Sequence, residues 1–175
     1  PGGAGIVTAA LAFGGNDGSA TGKTEKYNGT SWTEVNDMNT GRRYLGSSGT
    51  QTLALGFGGF DTGNLAVTES WNGTSWTEVA DLATAITNIS GGGAGASNVS
   101  ALSFGGNNPT PAITTATEEF TGAGITDTIV NEGQVYYNST AGTMNVTAIV
   151  YGTGAWASGG NMNTSRSILR AAGTQ

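Results

Sequence analysis

The chain has 175 residues, only 10% of them charged, and 12 Asp and Glu against 6 Lys and Arg give it a net charge of −6. So few cations cannot build the basic face that neutralising a phosphate backbone requires, which excludes nucleic-acid binding of the usual electrostatic kind. Histidine and cysteine are absent, so the commonest metal ligand and general base are missing, together with thiolate chemistry and any disulfide framework.

Thirty-one glycines beside 37% hydrophobic residues point to an all-β chain whose interior combines small residues and close backbones with a few aromatic anchors. No stretch approaches the roughly 20 apolar residues of a membrane helix, and residues 1–10 lack the charged start of a signal peptide. Neither membrane insertion nor a cofactor is expected.

In chain order, residues 1–8 contain Gly3-Ala-Gly5, which returns as Gly93-Ala-Gly95 ahead of a later apolar run, so they read as the tail of a preceding repeat. The first full repeat, residues 9–52, opens on an apolar run ending in Gly14-Gly15. The second, 53–100, opens the same way and reaches Gly58-Gly59, and the third, 101–175, reaches Gly105-Gly106. Those double glycines lie 44 and 47 residues apart, a period typical of stacked or radial repeat architectures.

Each double glycine is followed by a polar loop of different sequence. The residues singled out there as candidate ligand contacts are Asn16 and Asp17, then Phe60, Asp61 and Asn64, then Asn107 and Asn108. Next comes a hairpin signal, TEKYNGTSWTEV at 24–35 and TESWNGTSWTEV at 68–79, where Asn-Gly suits a tight turn between two short strands. Its first strand carries Tyr27, Trp71 or Phe120, and its second Trp32, Trp76 or Trp156. A connector follows, NDMNTGR at 36–42, ADLATAI at 80–86 and GNMNTSR at 160–166. A Gly- and Ser-rich strand such as residues 44–50 then turns at Gln51-Thr52 into the next apolar run, giving four short strands per period.

The order of apolar run, double glycine, loop, aromatic, hairpin, Trp and Arg resembles the kelch motif. That resemblance implies a β-propeller of four-stranded blades, here a partial or open ring. The chain departs from the motif in having only four residues between the paired aromatics, and Ile86 stands where Arg42 and Arg166 stand in the other connectors. Fewer than four blades do not close a ring, so either a longer chain or several chains are expected to complete it.

The third repeat is interrupted at about 121–153. Its residues alternate apolar and polar with the period of strands, so a β-hairpin insertion is expected. EGQVYYNSTAGTMNV at 132–146 resembles a hairpin of bacteriophage tail-fibre proteins. Together with the kelch-like units it resembles virion structural and tail-fibre proteins of marine phages, cyanophages in particular.

The repeated Trp32, Trp76 and Trp156 suit packing between repeats better than a sugar-stacking platform. Glu25, Glu69 and Glu118 recur at one position, Glu34 and Glu78 at a second, and Asp37 and Asp81 at a third. They read as solvated strand faces that discourage edge pairing rather than as a catalytic pair, which needs two carboxylates in different environments. Turn chemistry explains Asp17 and Asp61 better than Ca²⁺ binding, since neither loop has EF-hand spacing. Asn28, Asn72 and Asn138 open Asn-X-Ser/Thr triplets, but hairpin turns select Asn-Gly regardless. Arg42 and Arg166 are expected to tie connectors to nearby carbonyls or carboxylates.

The expectation is a non-enzymatic virion component. It would meet other virion proteins, further copies of itself or a host-surface glycan through the loops after the double glycines. The alternative is a secreted bacterial carbohydrate-binding or protein-interaction propeller, and a hydrolase ranks third. Copper oxidase chemistry on a kelch propeller is excluded by the missing His and Cys.

Overall fold

The computed structural model describes residues 1–89, 97–110 and 113–122, together with the backbone of strands at 135–138, 143–146 and 155–158. The first sheet contains β1 (Gly2–Ile6), β2 (Ala9–Asn16), β3 (Ala20–Tyr27) and β4 (Trp32–Val35) in that order. The second contains β5 (Gly46–Gly49), β6 (Ala54–Phe57), β7 (Thr68–Trp71) and β8 (Trp76–Val79), again in order. A third sheet is built from β9 (Ser100–Phe104) and β10 (Thr117–Thr121). Between β10 and its other neighbour in that sheet come β11 (Val135–Asn138) and β12 (Thr143–Val146), which pair with each other, and then β13 (Ala155–Ser158) completes the order β13-β10-β9. All these pairings are antiparallel, so the fold is all-β with four-stranded antiparallel sheets at its centre.

The repeat is visible in the register. Tyr27 stands opposite Trp32, Trp71 opposite Trp76 and Phe120 opposite Trp156, so residues 122–154 enter the third hairpin without changing how its strands pair. In the first two hairpins the Asn28 and Asn72 carboxamide oxygens accept from backbone N–H groups two and three residues on. That local bonding explains why Asn leads the loop. Residues 46–49 do not close the sheet before them. They pair with β6 and so form the first strand of the second sheet, just as β1 pairs with β2. The turn at 50–53 is closed by Thr50 N–H to the Leu53 carbonyl at 2.8 Å.

Packing between successive sheets makes the core. Leu11 and Phe13 from β2, with Met38 and Leu45, meet Ala54, Trp71 and Trp76 of the second sheet. Leu55 and Phe57 from β6, with Leu82, Ile86 and Ile89, meet Ala101 and Phe120 of the third. Trp76 sits 4.7 Å from the Phe13 ring and 5.3 Å from the Trp71 ring, centroid to centroid, and its indole N–H donates to Thr24 Oγ1 at 3.0 Å. A buried indole with its one donor satisfied gains both burial and ring contact.

Two sequence expectations need correction. Trp32 is not core: it is 49% exposed and contacts Tyr27 at 5.1 Å within its own sheet. Its equivalent Trp76 is buried because the first sheet lies against it, and among the described residues no sheet lies against Trp32. The glutamates at the first repeated position are likewise not uniformly solvated. Glu25 is exposed, but Glu69 and Glu118 are buried, because each caps the connector of the sheet before it.

Glu69 accepts from the Asn39 N–H at 2.7 Å, the Asn39 side-chain amide at 2.9 Å, the Thr40 N–H at 3.2 Å and Arg42 at 3.0 Å. Arg42, also wholly buried, donates further to the Val67 and Gly56 carbonyls at 2.6 and 3.3 Å. Burial pushes the Arg42 guanidinium below its usual range while Glu69, Asp81 and Glu78 push it back up. The arginine thus ties a connector to carbonyls and a carboxylate, as its place in the repeat implies. Glu118 accepts from Ala83 N–H at 2.8 Å, in a connector that carries Ile86 instead of an arginine.

Candidate functional site

The loops after the double glycines leave the sheets at equivalent places, and the glycines themselves explain why. Gly14 and Gly15, Gly58 and Gly59, and Gly105 and Gly106 all have positive φ, between 61° and 120°. A Cβ on Gly58 would strike Ile89 Cδ1 and lie 2.7 Å from the Ile86 carbonyl. The connector backbone then crosses close by, with Gly15 N–H donating to the Arg42 carbonyl and Gly59 N–H to the Ile86 carbonyl, each at 2.8 Å. The first two loops are thereby pinned beside the connectors of their own repeats.

In the first loop Asn16 Oδ1 accepts from Gly18 N–H at 3.2 Å and Asp17 N–H donates to the Ser19 carbonyl at 3.2 Å. The Asp17 carboxylate pairs with Lys23 at 3.0 Å. That hydrogen bond and charge hold the Asp17 carboxyl below its ordinary 3.8 and raise the Lys23 ammonium. Turn bonding and an exposed ion pair account for both residues.

The second and third loops are joined. Phe60 exchanges backbone hydrogen bonds with Arg43 at 2.8 and 2.9 Å and bridges to Asn64. The Asn64 side-chain amide donates to the Asn107 carbonyl at 3.0 Å. Asn107 exchanges backbone bonds with Thr87 and bridges to Ile113. Asp61 is exposed, with its N–H turned to the Gly63 carbonyl. Asn108 spends its oxygen on Thr110 N–H and Oγ1. Of the seven residues picked from sequence, Phe60, Asn64 and Asn107 are therefore brought into one network. Asp61 and Asn108 flank it, and Asn16 and Asp17 make their bonds in a separate loop.

Sequence reasoning passed over the two residues at the centre of that network. The Arg43 guanidinium lies 5.3 Å from the Phe60 ring and 5.5 Å from the Tyr44 ring, within cation–π reach of both. Tyr44 is 52% exposed at φ +57°. Asn88, its counterpart one repeat on, sits at φ +52°. Asn enters this region easily, whereas a tyrosine there is held against a preference of about 1–2 kcal/mol. The available signal was Tyr44 at a position where the next repeat has Asn. Arg43 Nε is buried with no hydrogen-bond partner. Among the described residues, no group of three or more Asp and Glu is placed to hold a metal ion.

No protein-family model matches the chain, and no curated protein does. Among solved structures it is similar to one titled "Structure of YjhT", with a TM-score of 0.57 at 14% identity, over 69% of this chain and 42% of that one. The chain thus spans less than half the length of that structure. At this identity the likeness is one of fold: it agrees with an all-β chain of antiparallel sheets and carries no activity with it.

Proposed function

We propose that the chain is part of a kelch-like β-propeller that acts without catalysis, as a recognition element of a bacteriophage particle. The sheets are its blades, and the edge after the double glycines is its binding edge. The observation that carries this reading is the Phe60–Arg43–Tyr44 stack, an exposed aromatic held at positive φ beside a cation and coupled through Asn64 to the next loop. An aromatic face with a neighbouring guanidinium and loop amides suits a polar, anionic surface such as a host polysaccharide or an acidic patch on another virion protein. The tail-fibre resemblance of residues 132–146, where β11 and β12 pair, supports placement in a virion.

The test is retention of the purified chain on an array of bacterial surface polysaccharides. Tyr44→Ala and Phe60→Ala are expected to weaken retention about tenfold, as loss of a hot-spot side chain does. Asn72→Ala, in the hairpin loop after Trp71, is expected to leave it unchanged. Equal retention by all three variants and the parent would overturn the proposed edge, and shortening of a retained polysaccharide would overturn the non-catalytic reading.

A further inference from the structure

The turns of the first two hairpins are a matched pair. Both read Asn-Gly-Thr-Ser-Trp, at 28–32 and 72–76, and both fold alike. Asn28 Oδ1 accepts from the Thr30 and Ser31 N–H groups at 2.9 Å each, and Asn72 Oδ1 from those of Thr74 and Ser75 at 3.0 and 2.9 Å. Each Asn donates its own N–H to the serine carbonyl three residues on at 3.2 Å. Gly29 and Gly73 have φ of +93° and +95°, and a Cβ on either would lie 3.3 Å from the carbonyl oxygen beneath it, that of Thr8 or of Thr52. An Asn-Gly pair is chemically exposed, because glycine has no side chain to keep its backbone nitrogen away from the preceding carboxamide carbon.

The surroundings of the two turns differ. The first sheet grips the second turn: Lys26 Nζ donates to the Gly73 carbonyl at 2.5 Å, and the Asn36 side-chain amide to the Thr74 carbonyl at 2.8 Å. The aromatics that flank this turn, Trp71 and Trp76, are buried. The first turn has no such grip: among the described residues, its hydrogen bonds at 28–31 stay within the turn. Residues 28–32 are all exposed, and Tyr27 is only half-buried.

We infer that Asn28 is a site of spontaneous covalent modification, deamidation through a cyclic imide, and that Lys26 and Asn36 protect Asn72 from the same reaction. The Gly29 nitrogen bonds to Asn28 Cγ, the Cγ–Nδ2 bond breaks, and ammonia leaves with the proton that the glycine nitrogen gives up. Water then opens the five-membered imide at either carbonyl, to aspartate or to isoaspartate, in which the main chain runs through the side-chain carbon. Either product makes a neutral turn anionic, and isoaspartate lengthens the link between Tyr27 and Trp32. Attack requires the carboxamide to leave its two N–H donors and turn toward the next nitrogen. Those losses are the same in both turns and cancel. Only in the second must the Gly73 and Thr74 peptides also come free of Lys26 and Asn36, the former a charge-assisted bond, so its reactive conformer is the rarer one. The inference rests on the hairpin turns and not on what the loop edge binds.

Peptide mapping by mass spectrometry, on the whole chain aged at mildly alkaline pH, tests it. The two turns are told apart by the residues before them, Lys26-Tyr27 and Ser70-Trp71. In the folded chain Asn28 is expected to deamidate about tenfold faster than Asn72 or more, the effect of losing the two gripping hydrogen bonds. In urea, where only the shared Asn-Gly-Thr-Ser-Trp sequence acts, the two rates are expected to converge. Global unfolding exposes both sites equally, so it does not produce the difference. Lys26→Ala with Asn36→Ala is expected to raise the Asn72 rate toward that of Asn28, with the circular dichroism of the parent showing that the sheets persist. Equal rates in the folded chain, a faster Asn72, or an Asn72 rate unmoved in the folded double variant would each overturn the proposal.

Discussion

Single residues decide where the sheets hold together. Arg42 and Glu69 are wholly buried, so removing one partner strands a charge. Arg42→Ala is expected to cost about 3–5 kcal/mol in urea denaturation, and adding Glu69→Gln is expected to recover part of that loss. The second interface already runs without the arginine, with Ile86 at its place. The tryptophans should differ for the same structural reason. Trp76→Ala is expected to lose about 3–5 kcal/mol, and Trp32→Ala about 1 kcal/mol or less. The Asp17–Lys23 pair lies in water. Its lowered Asp17 pKa favours the folded state above the ordinary carboxylate range, a contribution that fades as pH falls through the depressed value. An NMR titration should find the Asp17 midpoint below 3.8 and moving up toward it in Lys23→Ala.

At the scale of the element, the double glycine is the joint that lets a strand end, a loop and a connector share one corner. Gly58→Ala is expected to cost more than the roughly 1–2 kcal/mol of its positive φ alone, since the added methyl also strikes Ile89; thermal unfolding reads the loss. Strands, hairpins and their register were legible from sequence because Asn-Gly turns and paired aromatics are local signals. The ownership of residues 46–49 was not. A Gly- and Ser-rich strand bears no mark of which neighbour it pairs with, and the period places it last whereas its hydrogen bonds place it first in the next sheet. The fate of Trp32 and Glu69 was illegible for a related reason. Identical letters at Trp32 and Trp76 carry no record of which sheet face another sheet covers. The loop network was half legible: Phe60, Asn64 and Asn107 stood out after the glycines, but Arg43 and Tyr44 sit across the corner, where only the fold brings them to Phe60.

For the whole molecule, the same packing of one sheet on the next is made twice among the described residues. Under the proposed function, a particle carrying several copies would present many loop edges together, where modest single contacts gain from multivalency. Sequence carried the architecture further than the role, because repeats follow from packing while a binding edge depends on a few side chains gathered from separate loops. The central claim, a recognition element carried on a phage particle, is tested most directly by immunogold electron microscopy of native particles with an antibody to residues 121–153. Gold at tail or fibre positions is the predicted result. Label absent from intact particles but present in a secreted soluble fraction would contradict it and leave the loop edge to a free binding module.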